Sequence, residues 1–400
     1  MSYAVVYLLT YQQALLLLLL FIFIKTIIIE GGILGMKFNT TKDILLKGIQ
    51  SVQTAINTKS SLPILSNILI EAKDENIIMT TTDLDIGIVS KIPVKPAITG
   101  AITVPAKKFS DIIKELPDNE SISISVKKNN VVNIDCGKNT FKVMGLPREE
   151  FPQLPELKDK DSINLPQKKL KTMLKMTSFA ISRDETRYVL NGVLFVVKPS
   201  FIRLVATDGR RLASIEEKMQ LPKSMERKFI VPTKAVNELD KILGEDGEVK
   251  IFFGDNQVFF DAGQTRLVSR LIEGEFPNYE QVIPKEAKEK IVVSRSALLS
   301  AVKRVALFTN PDSMAIKVEL GKDKIIASKN SPYLGEARVE VDADYKGKEL
   351  SVGFNPDYLA DLLKNVDQEM INFELVDAEK PGAVRVGSEY VYVVLPMQLG

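Results

Sequence analysis

The sequence predicts an α+β chain built from three copies of one domain, each with two helices packed on antiparallel sheets. Three observations predict it. A strand-ending motif, Val205-Ala206-Thr207-Asp208-Gly209-Arg210-Arg211-Leu212, recurs in weaker form as Met79-Thr80-Thr81-Thr82-Asp83-Leu84-Asp85 and as Ile326-Ala327-Ser328-Lys329-Asn330. Each copy leads to a second marker, Val104-Pro105, Val231-Pro232 or Val352-Gly353, and the spacings from Asp83 to Pro105, Asp208 to Pro232 and Asn330 to Gly353 are 22, 24 and 23 residues. Helical and strand-like periodicities alternate in one order around these markers, which suits helices on one face of antiparallel sheets. A repeat of this size fixes the architecture before any single motif does.

In the first copy, Thr40-Thr41-Lys42-Asp43 can cap a helix whose apolar face is Leu45, Ile49, Val52 and Ile56. Strands follow at 64–70 and 76–82, then a helix over 104–116 with Phe109, Ile112, Ile113 and Leu116 apolar. Strict alternation over 121–126 makes a strand, Asn129-Asn130 turns it into 131–134, and 141–146 ends the copy. The second copy repeats this with helices at 166–182 and 232–243 and strands at 193–197, 202–206, 249–253, 257–261 and 266–271. Leu190 and Asp208 stand 18 apart, as do Leu65 and Asp83. The third copy has helices at 294–308 and 356–366 and strands at 315–320, 324–328, 371–376, 384–386 and 390–395.

Composition narrows the function. Charged residues at 26% and hydrophobic residues at 45% fit a folded chain with a sizeable core. A single cysteine, Cys136, excludes an intramolecular disulfide framework and suits a reducing compartment. With no histidine and one cysteine, a histidine base, a Ser-His-Asp triad and a Cys- or His-built zinc site are excluded. No cofactor motif is present, neither a Walker loop nor a Gly-x-Gly-x-x-Gly after a strand. A metal-dependent phosphodiesterase using Asp83, Asp85 and Asp208 is conceivable, but repeat-equivalent positions should lie far apart.

Residues 1–35 do not match the rest. The run 14–24, then 27–29 after Lys25, approaches the length of a membrane helix. One reading is an anchor, which would make the chain a membrane-tethered β-rich binding protein. The other is a start assigned too far upstream, with Met36 as the true first residue; no positive residue precedes the run and no cleavage site is evident. Either way the net charge stays +2, because Lys25 and Glu30 leave together.

Charge is unevenly placed. The six expected helices carry +1, +1, +4, 0, +3 and −1 in chain order, +8 in all, which leaves −6 for everything else. A basic surface without base-reading motifs points to a phosphate backbone held without sequence preference.

Together these residues resemble the bacterial sliding clamp family, the beta subunit of DNA polymerase III, from Met36 to Leu399. The resemblance rests on Met36-Lys37-Phe38, Ser61-Leu62-Pro63-Ile64-Leu65, Thr82-Asp83-Leu84, Val104-Pro105-Ala106-Lys107-Lys108-Phe109, Arg187-Tyr188, Leu190-Asn191-Gly192, Ala206-Thr207-Asp208-Gly209, Arg211-Leu212, Phe276-Pro277 and Val394-Leu395-Pro396-Met397. It implies three DNA-clamp domains, at 36–155, 156–285 and 286–400, and a homodimer closed into a six-domain ring around duplex DNA. It implies no catalytic activity, no cofactor and no membrane. It implies a pocket for a short peptide, roughly Gln-Leu-x-Leu-Phe, borne by the replicative polymerase alpha subunit, the clamp loader and repair polymerases. The matching positions are Leu190, Thr207, Gly209, Arg210, Arg211, Leu212, Pro277, Val282, Val393, Leu395, Pro396, Met397 and Leu399. For DNA it implies Lys59, Arg183, Arg187 and Tyr188; for the ring seam, Arg304, Leu307 and Phe308 against Phe141 and Val143 of the other chain. The chain departs from the family pattern where Arg210 replaces a common histidine, at Gln281 and Gln398 in place of frequent arginines, and at Gly400 beyond the usual terminal leucine.

Overall fold

The computed structural model describes residues 35–56, 61–127, 129–157, 162–285, 287–311 and 313–399. The apolar run 14–29, Lys59 and Gly400 lie outside them. The described residues fall into two compact units, one from Gly35 to Glu156 with Gly263–Leu267, the other from Leu157–Ala262 with Val268 onward.

One sentence of secondary structure is spoken six times: strand, helix, three strands. The first unit reads β1 (Met36–Thr41), α1 (Lys42–Val52), β2 (Asn67–Lys73), β3 (Asn76–Thr82), β4 (Ile86–Ile92), then β5 (Gly100–Pro105), α2 (Ala106–Glu115), β6 (Ser121–Val126), β7 (Val131–Cys136), β8 (Asn139–Met144). The chain continues with β9 (Ser162–Pro166), α3 (Gln167–Lys175), β10 (Gly192–Lys198), β11 (Phe201–Thr207), β12 (Arg211–Lys218), then β13 (Arg227–Pro232), α4 (Thr233–Ile242), β14 (Glu248–Phe253), β15 (Gln257–Ala262), β16 (Thr265–Arg270). Last come β17 (Glu289–Ser294), α5 (Arg295–Ala306), β18 (Ile316–Gly321), β19 (Lys324–Ser331), β20 (Gly335–Asp344), then β21 (Leu350–Phe354), α6 (Pro356–Asn365), β22 (Met370–Leu375), β23 (Gly382–Val386), β24 (Tyr390–Val394).

The strand-to-helix junctions explain the Val-Pro markers. Pro105, Pro166 and Pro232 stand at the N-caps of α2, α3 and α4 with φ −57°, −58° and −59° and extended ψ. Proline has no N–H, so it ends a ladder and starts a helix without orphaning a donor. Elsewhere side chains cap: Ser294 Oγ accepts from the Ala297 amide of α5, and Asn355 Oδ1 from the Asp357 amide of α6.

Each lead strand crosses to the other half of its own copy. In the first unit the orders are β5-β2-β3-β4 and β1-β6-β7-β8, all antiparallel. In the second unit β13 pairs β10 and β9 pairs β14, and later β21 pairs β18 and β17 pairs β22. Helices then pair within a copy, α1 with α2, α3 with α4 and α5 with α6. The α1 face buries Leu45, Ile49 and Val52, and α2 buries Phe109 and Ile113. In the second unit β12 also pairs β24, joining the second copy to the third in one twelve-stranded sheet.

The structure shifts one expected element and shortens two others. Strand β2 starts at Asn67 because Pro63–Ser66 forms a 3-10 turn, closed by Ser66 Oγ donating to Pro63 O. Helix α1 stops at Val52 and runs into a 3-10 turn before Ile56. Helix α3 stops at Lys175 rather than 182. Thr177, fully buried, donates its hydroxyl to the Met173 carbonyl, and the chain tightens into a 3-10 turn at Ser178–Ala180. In the third copy the motif has diverged: buried Lys329 donates to Ser313 Oγ (2.6 Å) and Ala315 O (2.9 Å), and its burial lowers the ammonium's pKa.

Gly192 shows how tightly the lead strand is seated. A Cβ there would lie 2.3 Å from the Val231 carbonyl oxygen of β13, a backbone clash that no rotamer relieves. Gly192→Ala should therefore cost about 1–3 kcal/mol, read as a lower calorimetric melting temperature. Gly35→Ala, whose Cβ would meet nothing nearer than 3.8 Å, is the control expected to melt with the parent chain.

Candidate functional site

The motif that organises the sequence becomes a tight turn between β11 and β12. The Thr207 hydroxyl donates to the Arg211 carbonyl (2.6 Å) and accepts from the Gly209 amide (3.1 Å). Asp208 Oδ1 accepts from the Arg210 and Arg211 amides (2.9 and 3.0 Å). Threonine and aspartate suit such turns because their short oxygens reach backbone donors two or three residues on. Gly209 sits at φ +85°, which glycine adopts without steric cost. The first copy builds the same turn bond for bond. Thr82 Oγ1 donates to Ile86 O (2.8 Å) and accepts from Leu84 N (3.0 Å), and Asp83 Oδ1 accepts from the Asp85 and Ile86 amides (3.0 and 2.8 Å). There Leu84 takes φ +80°, which costs a side chain about 1–2 kcal/mol. Asp83 and Asp208 thus hold turns, and among the described residues no three acidic, Cys or His side chains gather to hold a metal.

Arg211 leaves the turn for the interior. Its side chain is 10% exposed, with Nε donating to Asp208 Oδ2 (3.0 Å), Nη1 to Asp361 Oδ2 of α6 (2.8 Å) and Nη2 to Phe179 O (2.6 Å). The guanidinium lies 4.5 Å from the ring centre of Tyr358. Tyr358 O in turn accepts from the Tyr392 hydroxyl (2.9 Å), whose pKa burial drives far up. The resemblance makes Arg211 a pocket residue; in the structure it lies in a buried junction with donors engaged on three sides.

The other pocket candidates sort into a buried floor and an exposed lip. Leu190, Thr207, Leu212 and Val393 are buried. Leu212 and Val393 face each other across the β12–β24 ladder and belong to one apolar cluster with Tyr279, against which Phe276 and Ile283 pack. Arg210 is exposed, and its carbonyl accepts from Leu395 N (2.9 Å). Met397 N donates to Gly353 O (2.8 Å), and that bridge holds the C-terminal tail on β21 with Leu399 beside it. Val282, Leu395 and Leu399 stay 46%, 38% and 46% exposed, Pro277 is exposed and Pro396 half-buried. The result is a buried apolar floor beside exposed apolar edges.

Two concave regions lie elsewhere. One, about 620 Å³, is lined by Phe229, Ile230, Phe276 and Glu273 and includes only Pro277 of the expected pocket residues. The other, about 830 Å³, lies over α3 and α4 with Lys168, Lys171, Lys175 and Lys241 on its walls. The charge of α3, from Lys168, Lys169, Lys171 and Lys175, was legible in the sequence, although the groove was not. Its lysines are paired: Lys168 and Lys171 reach Glu245 at 3.4 and 3.9 Å, and Lys175 reaches Asp367 at 2.9 Å.

Of the DNA candidates, Arg183 is exposed and Tyr188 is 58% exposed. Arg187 is exposed but pairs with Asp184 (3.0 Å) and donates to Asp208 O (3.2 Å). Of the seam candidates, Phe141 is half-buried and Val143 buried on β8, the outermost strand of its sheet. Arg304 is exposed and Leu307 76% exposed at the end of α5, with Phe308 half-buried. Tyr333 and Leu334, 91% and 51% exposed, extend the apolar patches of this unit and were missed in the sequence. A Pro-Tyr-Leu-Gly run between strands was the available signal.

The chain is similar to known proteins over most of its length. The chain matches the DNA polymerase III beta subunit N-terminal domain over 36–155, its central domain over 164–278 and its C-terminal domain over 280–398. It is 33% identical over 364 residues to the beta sliding clamp of Chlamydia pneumoniae, covering 91% of this chain and 99% of the relative. It is similar to the DNA polymerase sliding clamp structure from Bacillus subtilis, at TM-score 0.87 and 32% identity over 92% of this chain and all of that one. The griselimycin-bound clamp of Pseudomonas aeruginosa compares at TM-score 0.87 and 34% identity, over 91% of this chain and all of that one.

Arg211→Met would leave Asp208 and Asp361 without their shared cation. The expected cost is about 2–4 kcal/mol in denaturant unfolding, since one member of a largely buried ion cluster is removed. Asp361→Asn, which keeps the shape and one acceptor, should cost less than half as much.

Proposed function

This chain belongs to the DNA polymerase III beta subunit family and is a sliding clamp, and on that premise we propose how its surfaces divide the work. The three clamp domains divide at 36–155, 156–285 and 286–400. Two chains close a ring around duplex DNA, which tethers a polymerase by topology instead of by tight binding. The clamp itself performs no catalysis.

The observation that carries this reading is the six-fold strand–helix–three-strand recurrence whose helices hold +8 in a chain of +2. Such charge attracts phosphates without reading bases. Arg183, Arg187, Tyr188 and Lys59 supply further DNA contacts, with Arg183 the freest of the described cations among them.

The seam forms where Phe141 and Val143 of the β8 edge meet Arg304, Leu307 and Phe308 of the other chain. An open strand edge and a leucine with 76% of its surface in water both favour a covering partner. The recognition cleft takes the Gln-Leu-x-Leu-Phe type of peptide from the replicative polymerase, the clamp loader and repair polymerases. Its floor is Leu212 and Val393, and its lips are Val282 and the 395–399 tail.

Two measurements test this. Replacing Leu307 and Phe308 together with aspartate should convert a dimer into a monomer in sedimentation, weakening association by at least about a hundredfold. A monomeric parent chain at micromolar concentration would overturn the seam. A labelled Gln-Leu-x-Leu-Phe peptide should bind the full chain saturably and lose binding when residues 396–400 are deleted. Equal binding to both chains would move the site away from the tail.

A further inference from the structure

Between β16 and β17 the chain runs as a strap over the apolar cluster, with a 3-10 turn at Tyr279–Val282. The strap carries Pro277 and Val282, one lip of the recognition cleft. Its apolar anchors are Phe276, Tyr279 and Ile283, while Val282 stays 46% exposed between them.

Two arginines tie the strap down on either side of Val282. Arg203 of β11 donates from Nη1 to the Tyr279 hydroxyl (3.0 Å) and to Glu280 Oε1 (3.2 Å). Its other edge is already fixed: Nε and Nη2 donate to Glu216 Oε2 (3.1 and 2.6 Å), and Glu216 is its direct partner across the β11–β12 ladder. The guanidinium also lies 4.7 Å from the ring centre of Phe201 on the same strand. Past Val282, Arg385 of β23 donates from Nη2 to the Pro284 carbonyl (2.7 Å), and Glu374 of β22 fixes its Nε (2.9 Å). Both forks are preset by a strand carboxylate, so the strap docks onto rigid donors.

We infer that Arg203 and Arg385 are positioning residues of the recognition cleft. They set the height and rigidity of the Val282 lip, and through it the residence time of a bound peptide. Neither arginine need touch the peptide. The inference rests on reading this cleft as the peptide site. Without the two forks, the segment after Tyr279 keeps Ile283 as its apolar anchor and a 3.5 Å contact from the Tyr279 hydroxyl to Glu280, but loses the arginine donors to Glu280 and Pro284. A lip that must be ordered on binding costs affinity that a preordered lip does not.

The test uses the full chain and the labelled Gln-Leu-x-Leu-Phe peptide. Arg203→Met and Arg385→Met should each raise the peptide dissociation constant about tenfold, chiefly through a faster off-rate. Arg203→Lys should recover little of it, because an ammonium cannot reproduce the fork. Tyr279→Phe, which removes only the hydroxyl, should fall between parent and Arg203→Met. Association of the chains should not change in any variant. If the parent chain binds no peptide, the cleft assignment itself fails. If the parent binds and all the variants stay within about twofold at a temperature well below melting, the arginines are merely structural and the inference is overturned. Should Arg203→Met fail to fold, Tyr279→Phe and Arg385→Met decide the question by the same threshold.

Discussion

Everything in this fold depends on an exchange of strands. Each helix is followed by a three-stranded antiparallel meander, and the first strand of that meander has an open edge. The strand that fills it is the lead strand of the other half of the same copy: β5 on β2 and β1 on β6 in the first, with the same exchange in the other two. An open edge is a template for unwanted pairing, so neither half is complete alone. The exchange also pulls each lead strand's helix across, which is why α1 packs on α2, α3 on α4 and α5 on α6. The small bridges after each copy's last strand follow from it. Thr103 meets Leu146, Ile230 meets Ile272 and Gly353 meets Met397, so the C-terminal tail is held by a contact the fold makes three times.

Upon that frame the second and third copies are joined by a ladder and a cation. The β12–β24 pairing runs their sheets together, and the Arg211 guanidinium reaches from the turn of one copy to the carboxylate of Asp361 in a helix of the other. The same turn in the first copy has Ile86 where the second has Arg211, with every backbone bond conserved. The repeat therefore supplies the geometry, and one residue type within it supplies the junction. That separation lets a threefold repeat carry a charged junction at a single place.

The threefold repeat, the helices and most strands of the meanders were legible because periodicity survives wherever one face is buried. The strands β3 and β6 fall where alternation and turn residues place them. The lead strands were harder to read. Segments such as Arg227–Pro232 are short and bury three consecutive residues, Phe229, Ile230 and Val231, so they show an apolar run without alternation and look like a helix approach. The sixfold unit was hidden for that reason. At the site, Leu212 and Val393 were legible through resemblance, but the inward course of Arg211 was not. Its partners Asp361 and Phe179 lie 150 and 32 residues away, and no local spacing announces them. The strap ties of Arg203 and Arg385 are long-range in the same way.

The most basic helix, α3, does not present bare lysines; Lys168, Lys171 and Lys175 rest on Glu245 and Asp367, with every one of these side chains at least a third exposed. Ion pairs that wet contribute little, so a phosphate can displace the carboxylate at small cost. The exchange works in both directions: the carboxylate is still there when the phosphate moves on. A surface that trades one anion for another at many places has no deep minimum at any of them. Without base-reading side chains to create a register, attraction to a duplex becomes attraction along it, which is what a ring that slides requires.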